Sequence, residues 1–129
     1  MKLEPGTHED PDQGYRSRYS HDKEWASPNY YAVELADYGV KAEMTSGVRS
    51  GMFRFTYPES DNAFIMIDMN HTLWQSCEWS NLRMINDSTI TGYKLVKGRG
   101  PERHVYFTAT FSKKLTGLRF VQDKKPVSY

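Results

Sequence analysis

Apolar and polar side chains alternate with a period of two over much of this chain. Tyr31, Val33 and Leu35 share one face of an extended segment whose other face carries Ala32 and Glu34. After Asp37-Tyr38-Gly39, Val40, Ala42 and Met44 alternate with Lys41 and Glu43. Such alternation marks half-buried strands, and two runs joined by a short glycine-containing turn predict a hairpin. Phe53, Phe55 and Tyr57 then alternate with Arg54 and Thr56 up to Pro58, which has no N–H to give a ladder and ends the strand. Residues 63–69, AFIMIDM, are almost continuously apolar and predict a central strand. Residues 70–80, NHTLWQSCEWS, have no clean period and fit a long loop or an edge strand. Residues 82–85 and 90–96 predict two strands joined at Asn86-Asp87-Ser88. A breaker at residues 97–101, KGRGP, precedes the cleanest alternation of all, Val105, Phe107, Ala109 and Phe111 against Tyr106, Thr108 and Thr110. A last short strand is predicted over residues 118–121.

About eight strands at short spacing, with no amphipathic helix, predict an all-β fold, an antiparallel β-sandwich. Residues 1–14 hold Pro5, Gly6, Pro11 and Gly14 among charges and are expected to form a flexible leader. Residues 15–129 are expected to form the sandwich domain. The 129 residues suffice for one domain with one modest core.

Charge removes one class of partner. Seventeen basic against 16 acidic residues leave a net charge of +1, with no basic stripe to attract nucleic acid. No apolar run approaches the ~20 residues of a membrane helix, and the first fourteen residues lack the apolar stretch of a signal peptide. Asn70-His71-Thr72 and Asn86-Asp87-Ser88 fit the glycosylation sequon. The single cysteine, Cys77, reads as a small buried hydrophobe.

Candidate chemistry is sparse. His8, His21, His71 and His104 are too scattered for a zinc site, and His104 reads as a surface residue at a strand start. Asp10, Asp12 and Gln13 lack the glycine and distal glutamate of a calcium loop, and no Gly-x-Ser-x-Gly elbow surrounds a serine. Glu34, Glu43 and Asp68 lie on or beside strands, where acids are ordinarily solvent-facing; a glycosidase would need two such groups flanking its scissile bond. Aromatic residues, nine Tyr, six Phe and three Trp, are plentiful. Trp25, Trp74 and Trp79 are the candidates for a sugar platform, because a flat indole matches the C–H face of a pyranose while its N–H finds a polar partner. The commoner role of such a residue is to cover an end of the core, since Trp is highly buried on average.

The ordered motifs carry more than any single residue. The segments YRSRYSHDKEWASPNYYAVEL (residues 15–35) and YGVKAEMTSGVRSGMFRFTYPESDNAFIMIDM (38–69) resemble the N-terminal domain of glycoside hydrolase family 92. ITGY (90–93) and HVYF with TFSK (104–107, 110–113) are similar to later elements of that domain. The match runs from Tyr15 to about Lys114 in order. It implies a calcium-dependent, exo-acting α-mannosidase that inverts the anomeric centre. It further implies an N-terminal β-sandwich packed on a larger helical (α/α)-barrel. The acid, the base and the calcium site lie chiefly in the helical part, and the sandwich adds substrate contacts where the domains meet.

Departures from the family pattern limit what transfers. A glycine-rich segment that the family places before the YRSRYSH stretch has no counterpart here. Asn29 stands where the family has glycine, and Asn tolerates left-handed backbone. A family tryptophan before the last strand has no counterpart in residues 97–101. No catalytic or metal residue carries over; Ser27-Pro28 and Tyr30-Tyr31 opening a strand, and Arg54 and Tyr57 on the central face, do. The resemblance therefore implies a fragment inactive alone, whose mannose-containing glycans and calcium belong to the full-length, exported enzyme. The face that meets the barrel would lie uncovered, with self-association as its consequence. Two other readings fit the residues: a free-standing carbohydrate-binding module with aromatic platforms, and an interaction module without a sugar role.

Overall fold

The computed structural model describes residues 4–7, 9–122 and 125–127. Among them the fold is all-β, with every strand pair antiparallel, in sheets of four, three and two strands. The chain divides into two compact units, Met1–Ile65 and Met66–Tyr129.

Unit 1 is a meander in the order β1 (Glu24–Ser27), β2 (Tyr30–Leu35), β3 (Val40–Ser46) and β4 (Gly51–Thr56). The β1–β2 turn is Pro28-Asn29, and Asn29 takes φ 63°. Proline presets the first turn position and the second needs positive φ, which Asn accepts where most side chains do not. The carbonyl of Asn29 is held by the Thr45 hydroxyl at 2.5 Å. Gly39, at φ 62°, makes the equivalent reversal before β3. Register places Tyr31, Val33, Leu35, Val40, Ala42, Met44, Phe53 and Phe55 on one sheet face. Val33, Val40 and Ala42 are buried there. Trp25, Tyr30, Ala32, Glu34, Lys41, Glu43 and Arg54 share the other face.

The segment before β1 fastens the β2–β3 turn. Arg18 donates to both carboxylate oxygens of Asp37, from its backbone N–H at 2.7 Å and its Nε at 2.8 Å. The Ala36 N–H returns to the Arg18 carbonyl, the Asp37 N–H reaches the Ser17 hydroxyl, and the Tyr38 phenol donates to the Tyr15 carbonyl. This is the structural work of the YRSR stretch. Further back, the Tyr15 N–H bonds the Glu4 carbonyl, and a 3-10 turn spans Pro11–Gln13.

Unit 2 holds a three-stranded sheet, β5 (Ser76–Asn86), β6 (Thr89–Lys97) and β7 (Arg103–Thr110). A two-stranded ribbon, β8 (Phe120–Gln122) with β9 (Lys125–Val127), follows. Two register shifts interrupt the β5–β6 pairing, one between Cys77 and Trp79 and one between Met84 and Asn86. Each leaves one residue of β5 unpaired, a β-bulge. Cys77, Leu82, Met84, Ile90, Gly92, Val96, Phe107 and Ala109 form the inner face. Ile90 is 2% exposed.

Three expectations are corrected. Residues 63–69 form no strand, and Phe64, Ile65 and Ile67 are exposed. An apolar run becomes a strand only when its backbone groups join a ladder. Here the Tyr57 phenol takes the Phe64 carbonyl, and Asp68 caps the N–H groups of Asn70 and His71. Second, β1 covers Glu24–Ser27, for which no separate strand was expected, and β5 begins six residues before Leu82. Third, Glu43 is not solvent-facing but 6% exposed.

Candidate functional site

Glu43 is buried because its neighbours across the sheet satisfy it. Tyr30, Glu43 and Arg54 lie on one face of β2, β3 and β4, with Glu43 and Arg54 directly opposed. Arg54 donates Nε to Oε2 and a terminal nitrogen to Oε1, both at 2.7 Å, and the Tyr30 phenol donates to Oε1 at 2.7 Å. Lys41 Nζ stands 3.4 Å from Oε1. Bidentate pairing of this kind is the strongest geometry a carboxylate and guanidinium can adopt. The Arg54 hydrogen bonds, then that of Tyr30, hold the Glu43 carboxyl down to about 2 against the opposing effect of burial. Glu43 thus stays ionised, with its lone pairs engaged. It is a structural ion pair, and Glu34, on the same face, is paired with Lys23 at 2.6 Å.

The opposite face has a second network. Glu24 accepts the Tyr31 phenol at 2.5 Å and His21 Nδ1 at 2.6 Å. The bond to Glu24, with burial next, pushes the Tyr31 phenol up to about 12.

All three candidate tryptophans are exposed, so none covers an end of the core. Trp25, on β1, borders a shallow depression with Lys23, Tyr30, Glu34 and Lys41. Trp74 sits in the loop before β5 at φ 59° and is 99% exposed, with no ring partner among the described residues. Trp79 belongs to a group of rings on the outer face of the three-stranded sheet. Its centroid is 5.1 Å from that of Tyr93, which is 4.8 Å from Tyr106 and 5.9 Å from His104. The planes are tilted by 34–56°, the angled contacts that ring quadrupoles favour. Tyr93 Oη and His104 Nδ1 lie 2.8 Å apart, a hydrogen bond whose donor follows the imidazole tautomer. Desolvation within this group, with smaller effects of Tyr106 and Glu102, raises the Tyr93 phenol.

Register explains the grouping. Trp79 opposes Leu95, Asn81 opposes Tyr93, and Tyr93 opposes Tyr106. Trp79, Asn81, Tyr93, Leu95 and Tyr106 therefore line one shallow trough across three strands. Of these residues, the sequence singles out Trp79 as a candidate platform and does not single out Asn81, Tyr93 or Tyr106. Tyr106 was already on the polar side of a clean alternation; what was missing was the strand pairing that sets it beside Tyr93. His104, read as a surface residue at a strand start, is the exposed second residue of β7.

Cys77 is a half-buried free thiol whose Sγ stands 3.6 Å from the Trp79 carbonyl. Among the described residues, no group of three or more His, Cys, Asp or Glu side chains could hold a metal ion. No described helix is long and apolar enough to cross a membrane.

Comparison with known proteins identifies the family. The model of the glycosyl hydrolase family 92 N-terminal domain matches residues 1–129. A solved structure of the family GH92 alpha-mannosidase BT3965 from Bacteroides thetaiotaomicron is 98% identical, with a TM-score of 0.95 over 100% of this chain. A second structure, that alpha-mannosidase in complex with mannoimidazole, is likewise 98% identical, with a TM-score of 0.94 over 100% of this chain. The chain spans only 18% and 17% of those two chains. No curated protein matches. On a family match from end to end and near-identity to a family enzyme over its whole length, this chain belongs to glycosyl hydrolase family 92, within the N-terminal domain of that family.

Proposed function

We propose that this chain is part of an exported α-mannosidase that removes terminal α-linked mannose from glycans with inversion, and that it is inactive by itself. Its role is to pack on a helical catalytic domain and to add contacts to the substrate. The observation that carries this reading is the 98% identity to an alpha-mannosidase of which this chain spans 18%. The calcium of the whole enzyme is held by residues outside this chain. Here Glu43 is committed to Arg54 and Tyr30, and Glu34 to Lys23.

Exposed Met52, Phe53 and Phe55 on β4, an edge strand, suit burial against the rest of the parent. In the isolated chain the same edge promotes self-association. The test is hydrolysis of an aryl α-mannoside by the parent and by the purified 129-residue chain. Cleavage by the parent with inversion, lost on calcium chelation, and none by the chain is expected. Cleavage by the chain alone sinks the reading. A second reading, a carbohydrate-binding module, is favoured by the exposure of Trp25, Trp74 and Trp79.

A further inference from the structure

We infer that the trough across β5, β6 and β7 is a pyranose-binding site, seating one sugar ring of an oligosaccharide over Tyr93 between Trp79 and Tyr106. The inference rests on the mannosidase reading for the identity of the sugar, a mannose-containing oligosaccharide. The geometry rests on unit 2 alone. Trp79 and Tyr106 are 56% and 72% exposed, on the outer strands of the sheet, and Tyr93 lies half-buried between them on the central strand. Both flanking rings are tilted against Tyr93, by 56° and 43°, so the three do not form one closed stack.

Polar groups share this face. Asn81 opposes Tyr93 and lines the trough, Thr91 and Thr108 are paired on the same side, and His104 holds the Tyr93 phenol. A protein core laid on this face would leave the Asn81 amide to be desolvated at a cost. A pyranose presents an apolar C–H face to rings and hydroxyls to an amide, which suits both halves of the surface. The ladder fixes the rings in place, so little ordering is needed on binding. Among the described residues, neither Trp25 nor Trp74 makes a ring contact.

The experiment titrates the 129-residue chain with α-linked mannobiose and mannotriose, followed by side-chain NMR. Shift changes are expected at Trp79, Asn81, Tyr93 and Tyr106. Trp79→Ala and Tyr106→Thr should each weaken binding by about tenfold, the scale of one lost aromatic contact. Trp79→Phe, which keeps a ring, should retain most of the affinity and guards against loss of fold in the alanine variant. Trp25→Ala and Trp74→Ala should bind as the parent chain does. No shift at millimolar sugar, or shifts indifferent to Trp79 and Tyr106, would overturn the site. So would protection of Tyr106 from acetylation in the parent when it is reactive in the isolated chain, because a protein surface would then fill the trough. Failure of the broader reading is seen separately, as a parent that cleaves no α-mannoside. A trough that binds gluco-configured but not manno-configured oligosaccharides counts against that reading and leaves the pyranose site standing.

Discussion

Gly92→Ala tests the closest approach in the three-stranded sheet. Gly92 and Phe107 are register partners on the inner face of β6 and β7. A Cβ at position 92 would stand 2.2 Å from Phe107 Cε1, 2.4 Å from Cζ and 3.1 Å from Cδ1. Carbon atoms prefer separations of about 3.5–4.0 Å, so the ring edge must retreat by more than about 1 Å. An aromatic ring laid over a cross-strand glycine compensates for the missing side chain, and a methyl group evicts it. Overpacking of this kind costs about 1–3 kcal/mol. The loss of glycine's unfolded-state freedom returns about 0.4–1 kcal/mol, leaving a net destabilisation of about 1–2 kcal/mol. Phe107→Ala alone removes a half-buried ring and should cost about 2 kcal/mol, near half the range for a fully buried one. In the double variant the new methyl enters space the ring has vacated. It should therefore be no less stable than Phe107→Ala, a coupling of about 1–2 kcal/mol. Urea denaturation followed by circular dichroism measures all four stabilities. Strict additivity, or a Gly92→Ala variant within about 0.5 kcal/mol of the parent chain, would refute the close contact.

Two further outcomes follow from unit 1. Glu43 is held near 2 in the fold and returns to about 4.5 when unfolded, so the stability it lends is present above pH 4.5 and lost as pH falls toward 2. Glu43→Gln should be less stable at neutral pH, since Arg54 loses its carboxylate, and should show a flatter decline across that acid window; parallel urea-midpoint profiles for the two proteins would contradict this. Asn29→Gly should be neutral or stabilising, because glycine accepts φ 63° freely, whereas Asn29→Val should cost about 1–2 kcal/mol. Thermal melts that rank valine with glycine would show that the turn does not need the left-handed residue.

Elements with clean alternation were legible because period two is the repeat of the strand itself. The hairpin of β2 and β3, the strand at Phe53 and the strand at Val105 all lie where period two places them. Asn29 was legible for a different reason: the resemblance places it where the family has glycine, and Asn tolerates the positive φ found there. The run at residues 63–69 misled because apolarity reports desire for burial, not a pairing partner. Glu43 read as solvent-facing because alternation gives a side chain's face but not what reaches over it from the next strand. Arg54, eleven residues away in sequence, is directly opposite in space. The aromatic trough has the same origin. Trp79, Tyr93 and Tyr106 fall on three strands, and only register sets them side by side.

The two bulges of β5 bear on how this hairpin can change length. A regular strand would put Cys77 and Trp79 on the same side, yet Cys77 opposes Val96 and Trp79 opposes Leu95, neighbours that face opposite ways. Glu78 is the extra residue that reverses the phase, and Ile85 does the same before Asn86. Loss of Glu78 or Ile85 would leave every other side chain of β5 on its present side. Loss of any residue from Ser80 to Arg83 would throw part of that run over to the wrong side. Single-residue deletions in this hairpin therefore keep its phase only at the two bulges and the residues beside them, and the run between the bulges carries one wall of the trough.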